Sequence, residues 1–296
     1  LALPSGADDS SVPSRAGDHS LHNRSRTAIR GQTDLMPALR TGGESMQRDE
    51  LVAYLDTYLR IKEIEDRSNN GLQVEGADDV SRLAFAVDAG LAAFEEAQAA
   101  GAQMLIVHHG LYWSEPVLLT GIHRRRAQVL FDAGLSLYAV HLPLDFHEEV
   151  GNNATLARWL NLEEVAPFGD YKGHSAGFAG QLAEPRSLGR FVAQIERSLG
   201  EPAVQVWPFG PAEVQRVGIV SGGGASLLDQ AAKAGVDVYL TGEVSHIFFH
   251  QAREVGLNIV YGGHYATETA GLKALAEHLV GQFGLETVFL DLPTGA

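Results

Sequence analysis

Histidine and carboxylate side chains recur in this chain at matched spacing. His141 precedes Asp145 by four positions, His264 precedes Glu268 by four, and the two pairs lie 123 residues apart. A third cluster, His108-His109, closes an apolar run. Imidazole and carboxylate donors in this mixture suit divalent cations, and three separated constellations suit a pair of ions better than one. A two-cation centre lowers the pKa of bound water and stabilises a developing oxyanion. Hydrolysis of a phosphate ester, an amide or an imine-like ring carbon fits that equipment. Redox work with iron and a non-catalytic scaffold stay open on spacing alone.

These side chains need elements that bring distant positions together. Residues 80–90 read as a strand and glycine turn, 91–100 as a helix ended by Gly101, and 102–107 as a buried strand that reaches His108. Shifted by 134 residues, 214–224 repeats the strand and glycine turn, 225–234 the helix ended by Gly235, and 236–241 the strand that reaches Gly242-Glu243. Val80, Arg82, Gly90, Ala97, Ala100 and Gly101 match Val214, Arg216, Gly224, Ala231, Ala234 and Gly235 without a gap. The parallel continues through a helix at 127–133 with Gly134 and a strand at 135–140, against 248–255 with Gly256 and 257–261. Each half thus places its His-x3-acid pair just beyond a strand. Repeated strand–helix–strand units predict an α/β, duplicated two-half fold with mostly parallel or mixed sheets covered by helices. Ligands in open α/β folds gather outside the carboxyl ends of strands, so the two halves could share one cleft.

Adjacent side chains in a strand point apart. His108 and His109 can both reach metal if the strand has ended, or if the cleft holds two ions; Gly110 permits a turn. Asp145 reads as a direct or bridging ligand and Glu268 as a second bridge. A helix is expected from Thr267 to Val280, with His264 just before it. His141 could bind metal, donate a proton or position water, and the same holds for Glu243 and His246. His123, His147, His174, His250 and His278 read as surface or supporting residues. Ser221-Gly-Gly-Gly224 reads as a tight turn, with anion binding by its N–H groups as the alternative.

Composition bounds the rest. Residues 1–45 contain no aromatic side chain, are rich in Gly, Ser, Pro, Arg and Asp, and read as a disordered leader or translated sequence upstream of the natural start. The expected halves are 46–168 and 169–296. The 22 Lys+Arg against 37 Asp+Glu leave a net charge of −15, which opposes binding to a phosphate backbone, so nucleic acid is not an expected partner. Arg124-Arg125-Arg126 is the dense basic run of the body and reads as a helix surface. Cysteine is absent, which removes thiolate ligands. No apolar run approaches the ~20 residues that cross a bilayer, so no membrane partner is expected and the cytoplasm is the default location.

At these residues the chain resembles the GTP cyclohydrolase I type 2 homologue family, also described as NGG-one-interacting-factor-three-like proteins. The resemblance runs from about Met46 to Pro293. It rests on Ser68-Asn-Asn-Gly-Leu-Gln-Val74, Val107-His-His-Gly-Leu-Tyr-Trp113, His141-Leu-Pro-Leu-Asp145, Gly151-Asn-Asn153, Thr241-Gly-Glu-Val-Ser-His246 and Gly262-Gly-His-Tyr-Ala-Thr-Glu268. It implies a short form without an inserted domain and a dinuclear centre (Zn, Fe or Mn) held by His108, His109, Asp145, His264 and Glu268. It also implies a pocket role for His141 and a homohexamer assembled as a trimer of dimers. The expected activity is metal-dependent hydrolysis of a small, nucleotide-like substrate, with GTP cyclohydrolysis as the named reaction. A structural, regulatory or metallochaperone-type assembly is the alternative.

Overall fold

The computed structural model describes residues 45–296. The leader expectation falls outside these residues apart from Ser45. A short antiparallel pair opens the described chain, β1 (Met46–Gln47) with β3 (Asp79–Val80). The first sheet contains β2 (Gly71–Val74), β4 (Arg82–Asp88), β5 (Met104–His109), β6 (Ser136–Ala139) and β13 (Glu286–Phe289). Its order is β13-β4-β5-β6-β2, parallel except for β2 against β6.

The buried runs of β4 and β5 alternate between two cores, as side chains of a strand must. Phe85 and Ile106 pack with Leu51 and Leu55 of α1 (Arg48–Tyr58) and with Leu275 and Leu279 of α9 (His264–Phe283). Ala86 and Leu105 face Phe94 of α2 (Leu91–Ala99) and Leu130 of α3 (Gly121–Ala133).

The second sheet contains β7 (Glu163–Tyr171), β8 (His174–Ser187), β9 (Gln205–Pro208), β10 (Glu213–Val220), β11 (Val238–Thr241) and β12 (Asn258–Tyr261). Its order is β7-β8-β10-β11-β12-β9, with β10, β11 and β12 parallel and the other pairs antiparallel. One face packs on α5 (Asn152–Trp159) and α6 (Leu188–Leu199), through Leu156, Phe191 and Ile195. The other packs on α7 (Leu228–Lys233) and α8 (Phe249–Val255), through Leu228, Ala231 and Ala252.

The duplication is present in space. β4-α2-β5-α3-β6 and β10-α7-β11-α8-β12 follow the same course, each with a parallel three-strand core. The second helix of each unit ends on a left-handed glycine, Gly134 at φ +57° and Gly256 at φ +69°. The sheets are therefore the mixed, helix-covered pair expected, each built on a parallel three-strand core.

Three details differ from expectation. The sheets do not divide at residue 168: β7 spans 163–171 within the second sheet, and β13 returns to pair with β4 of the first. The periodic pattern shows where a strand lies but not which edge it joins, because either sheet offers unpaired edge groups. Helix α9 begins at His264 rather than Thr267, after Gly263 at φ +92°. Strand β5 continues through His108 and His109 instead of ending at Val107.

Helix α9 is the wall between the halves. Ala266 and Ala270 belong to the second sheet's core, whereas Tyr265, Leu272, Leu275 and Leu279 belong to the first. Polar residues on its first turns are thereby enclosed from both sides, and Thr267, Glu268 and Thr269 are all buried.

Candidate metal centre

The carboxyl ends of six parallel strands converge on one site. From the first sheet come Asp88 at the end of β4, His108 and His109 at the end of β5, and His141 two residues past β6. From the second come Ser221 after β10, Glu243 after β11 and His264 after β12. Asp145 closes α4 (Leu142–Asp145), the single turn that follows His141. Glu268 sits one helical turn beyond His264 on the same face of α9.

Three imidazoles point one nitrogen at one carboxylate. His264 Nε2 lies 3.0 Å from Glu268 Oε1, His109 Nε2 lies 3.2 Å from Oε2, and His108 Nε2 lies 3.4 Å from Oε1. Asp145 Oδ2 lies 3.5 Å from His108 Nε2. Candidate donor atoms fall within 4.8 Å of one another in three groups: His109, His264, Glu268; His108, Asp145, Glu268; and His108, His109, His141. Glu268 joins the first two groups and is buried to 3% exposure.

Each ring is held from behind. His108 Nδ1 donates to the Val140 carbonyl at 2.9 Å, His109 Nδ1 to Asp88 Oδ1 at 2.8 Å and His264 Nδ1 to Glu243 Oε1 at 2.7 Å. His141 Nδ1 lies 3.0 Å from both oxygens of Asp66, which also accepts the Leu142 N–H. A partner on Nδ1 places the lone pair on Nε2, the tautomer a metal ligand requires. Asp145 is oriented likewise: its Oδ1 accepts from Asn152 Nδ2 at 2.9 Å and from Ser221 Oγ at 3.0 Å.

The electrostatics favour positive charge beside the buried carboxylates. Burial pushes the His108 imidazole down, but the Asp145 and Glu268 carboxylates override it and raise its pKa to about 9. His264 also rises to about 9, because Glu268 and Glu243 outweigh its burial. Burial would lift the Glu268 carboxyl, yet His108, His264 and His109 hold it well below the usual carboxylate range. Two buried polar atoms at the centre, His108 Nε2 and Glu268 Oε2, lack any hydrogen bond. Unpaired buried groups of this kind are costly, and cation ligation satisfies both at once. The donor set fits divalent cations: imidazole and carboxylate, with no thiolate.

The anticipated residues therefore divide. His108, His109, His141, Asp145, His264 and Glu268 come together, and Glu243 reaches the cluster only through His264 Nδ1. His246 opens an exposed 3-10 turn and belongs to none of the three groups. At the Ser221-Gly-Gly-Gly224 turn, the Ser221 N–H donates to Asn153 Oδ1 and the Gly222 N–H to Thr267 Oγ1. Both donors are thus committed within the protein. Sequence reasoning does not find Asp66, Asp88 or Asn152 as orienting partners. Asp88 carries one readable signal, since it ends a strand beside the one bearing His109 and is in register with it.

Comparison with known proteins agrees with this architecture. The profile of the family described as Duf34/NIF3 (NGG1p interacting factor 3) matches residues 46–295, and the chain belongs to that family. The "GTP cyclohydrolase 1 type 2 homolog" of Deinococcus radiodurans is 44% identical over 259 residues, covering 88% of this chain and 98% of the relative. The protein of the same name from Archaeoglobus fulgidus is 45% identical, covering 84% of this chain and 99% of its own. Among solved structures, TTHA1606 from Thermus thermophilus is 46% identical with a TM-score of 0.78, over 85% of this chain and all (100%) of that one.

Proposed function

We propose that the protein is a metal-dependent hydrolase of a small molecule, built on a centre for two divalent cations. The carrying observation is the convergence of three Nε2 atoms, each with its Nδ1 held from behind, on the buried and underbonded Glu268. His109, His264 and Glu268 would hold one ion, and His108, Asp145 and Glu268 the other, with Zn, Fe or Mn compatible with these donors. Bound there, the pair supplies Lewis acidity and a water of lowered pKa.

The chain's own residues supply the rest. His141 shares a donor group with His108 and His109 and has Asp66 behind its Nδ1, and its role in this reading is to give or take a proton rather than to hold an ion. Glu243 acts by fixing the His264 ring and is a positioning residue. His246 has no part in this reading. The relatives' shared name favours a nucleotide-like substrate, and GTP is one compound to test. Purified protein, assayed for metal and then against GTP, phosphate esters and cyclic amides, tests the proposal. Turnover absent in His108→Ala and Asp145→Ala supports it; a full metal complement with no turnover across the panel favours the metal-storage or regulatory reading.

The homohexamer that the family resemblance implies is kept as part of this proposal, and native mass spectrometry measures the number of copies. Among the described residues no helix is long and apolar enough to cross a membrane, and the cytoplasm remains the proposed location.

A further inference from the structure

One large side chain beside the cluster has no role in the reading above. The Trp113 indole stands 4.9 Å from the His141 ring, centroid to centroid, with the planes 72° apart. It lies 6.0 Å from the His109 ring at 45°. Neither imidazole covers it face to face. Trp113 is half-buried and belongs to none of the hydrophobic clusters.

The ring is nevertheless held in place. Its N–H donates to the Gly110 carbonyl at 2.9 Å, and its backbone forms an antiparallel bridge with Ser68. The next residue, Ser114, adopts φ +59°, a left-handed conformation costly for a residue with a side chain. Ser114 Oγ donates to the Arg67 carbonyl at 3.0 Å and secures that turn. Backbone strain maintained by surrounding bonds is a feature of ligand clamps. With its one N–H committed to Gly110, the indole has only its π faces to offer a ligand.

We propose that Trp113 is a stacking platform beside His141 and His109, and that the site accepts a planar aromatic heterocycle lying on the indole face. This rests on the two-cation reading and specifies its substrate class. An aliphatic ester or a saturated ring would gain little from the indole face, whereas a heteroaromatic ring stacks on it with dispersion and quadrupole complementarity. The platform therefore selects for ring planarity, and the cation centre supplies reactivity.

Matched probes test this. Metal-loaded wild type, Trp113→Phe and Trp113→Leu would be titrated by calorimetry with 2-pyridone against its saturated counterpart 2-piperidone, and with guanosine monophosphate against ribose 5-phosphate. The aromatic member of each pair should bind more tightly and quench indole emission. The chain has three tryptophans, so the Trp113 component is the difference between wild type and Trp113→Phe. Trp113→Phe should hold affinity within about threefold, and Trp113→Leu should lose about tenfold or more for aromatic probes only. Metal content should be the same in all three proteins. Equal binding of aromatic and saturated probes, undiminished binding by Trp113→Leu, or no binding of any aromatic probe overturns the platform while leaving the metal centre standing. Wild type that takes up no metal overturns the underlying reading instead.

Discussion

Gly222 faces Glu268 so closely that a methyl group on its α-carbon would overlap the Oε1 atom, and its φ of +58° disfavours any side chain. The first glycine of the Gly-Gly-Gly turn thus leaves room for the carboxylate shared by two candidate cation sites. Its carbonyl accepts the Gly242 N–H at 2.9 Å and the Glu243 N–H at 3.0 Å, which ties the β10 and β11 loops together. Gly222→Ala is expected to displace Glu268 and reduce metal affinity by about tenfold or more. Metal content after dialysis against a competing chelator measures this, and circular dichroism establishes that the variant has folded.

Asp88 meets His109 on the side of the ring away from Glu268. Asp88→Asn retains a group of similar shape but weakens the charge that orients the ring and raises its basicity. A partner of this kind is worth about 10- to 100-fold in metal affinity. We expect a loss in that range with fold stability nearly unchanged. Asp66→Asn, behind His141, should instead lower turnover while leaving metal content intact.

The raised pKa values predict a pH dependence. In the protein alone, His108 and His264 titrate at about 9, above the ~6.5 of an unfolded imidazole. Their protonation stabilises the metal-free fold fully below pH ~6.5, and that contribution is lost as pH rises through about 9. Cations must displace the same protons, so metal affinity should climb across this window and level off above it. Calorimetry at pH ~7.5 in buffers of different ionisation enthalpy should register about two protons released per chain. Release near zero would remove the case for these two imidazoles as ligands.

Asn152 joins the metal site to the inter-sheet helix. Its Nδ2 donates to Asp145 Oδ1 at 2.9 Å, and its Oδ1 accepts the Gly271 N–H at 2.7 Å. Asn152→Ala leaves one lobe of the buried Asp145 carboxylate without its donor and removes the side-chain acceptor at Gly271. A cost of about 1–3 kcal/mol is expected in urea unfolding. Weaker metal retention should accompany it, because Asp145 loses one of its two orienting donors.

Much of the architecture is readable in the chain. Continuous apolar runs such as 83–87 and 104–107 are what a parallel strand covered on both faces requires. Glycines at equivalent helix ends reveal the repeat. The His-x3-acid spacing places His264 and Glu268 on one helix face by geometry alone. Other features were not local. Phe191 and Leu156 look like any helical apolar residues, and nothing in their spacing tells which sheet they cover.

The sequence by itself determined the kinds of donor, their places at strand ends and the twofold repetition of the strands, because periodicity and turn chemistry act over a few residues. Only the tertiary structure decided that Asp66 stands behind His141 from 75 positions away, that Asn152 reaches Gly271 across 119, and that His246 stays outside while Trp113 meets the His141 ring. Hydrogen bonds and ring contacts are short-ranged. Which groups come within their reach depends on how the two sheets close on α9, and no local pattern encodes that closure.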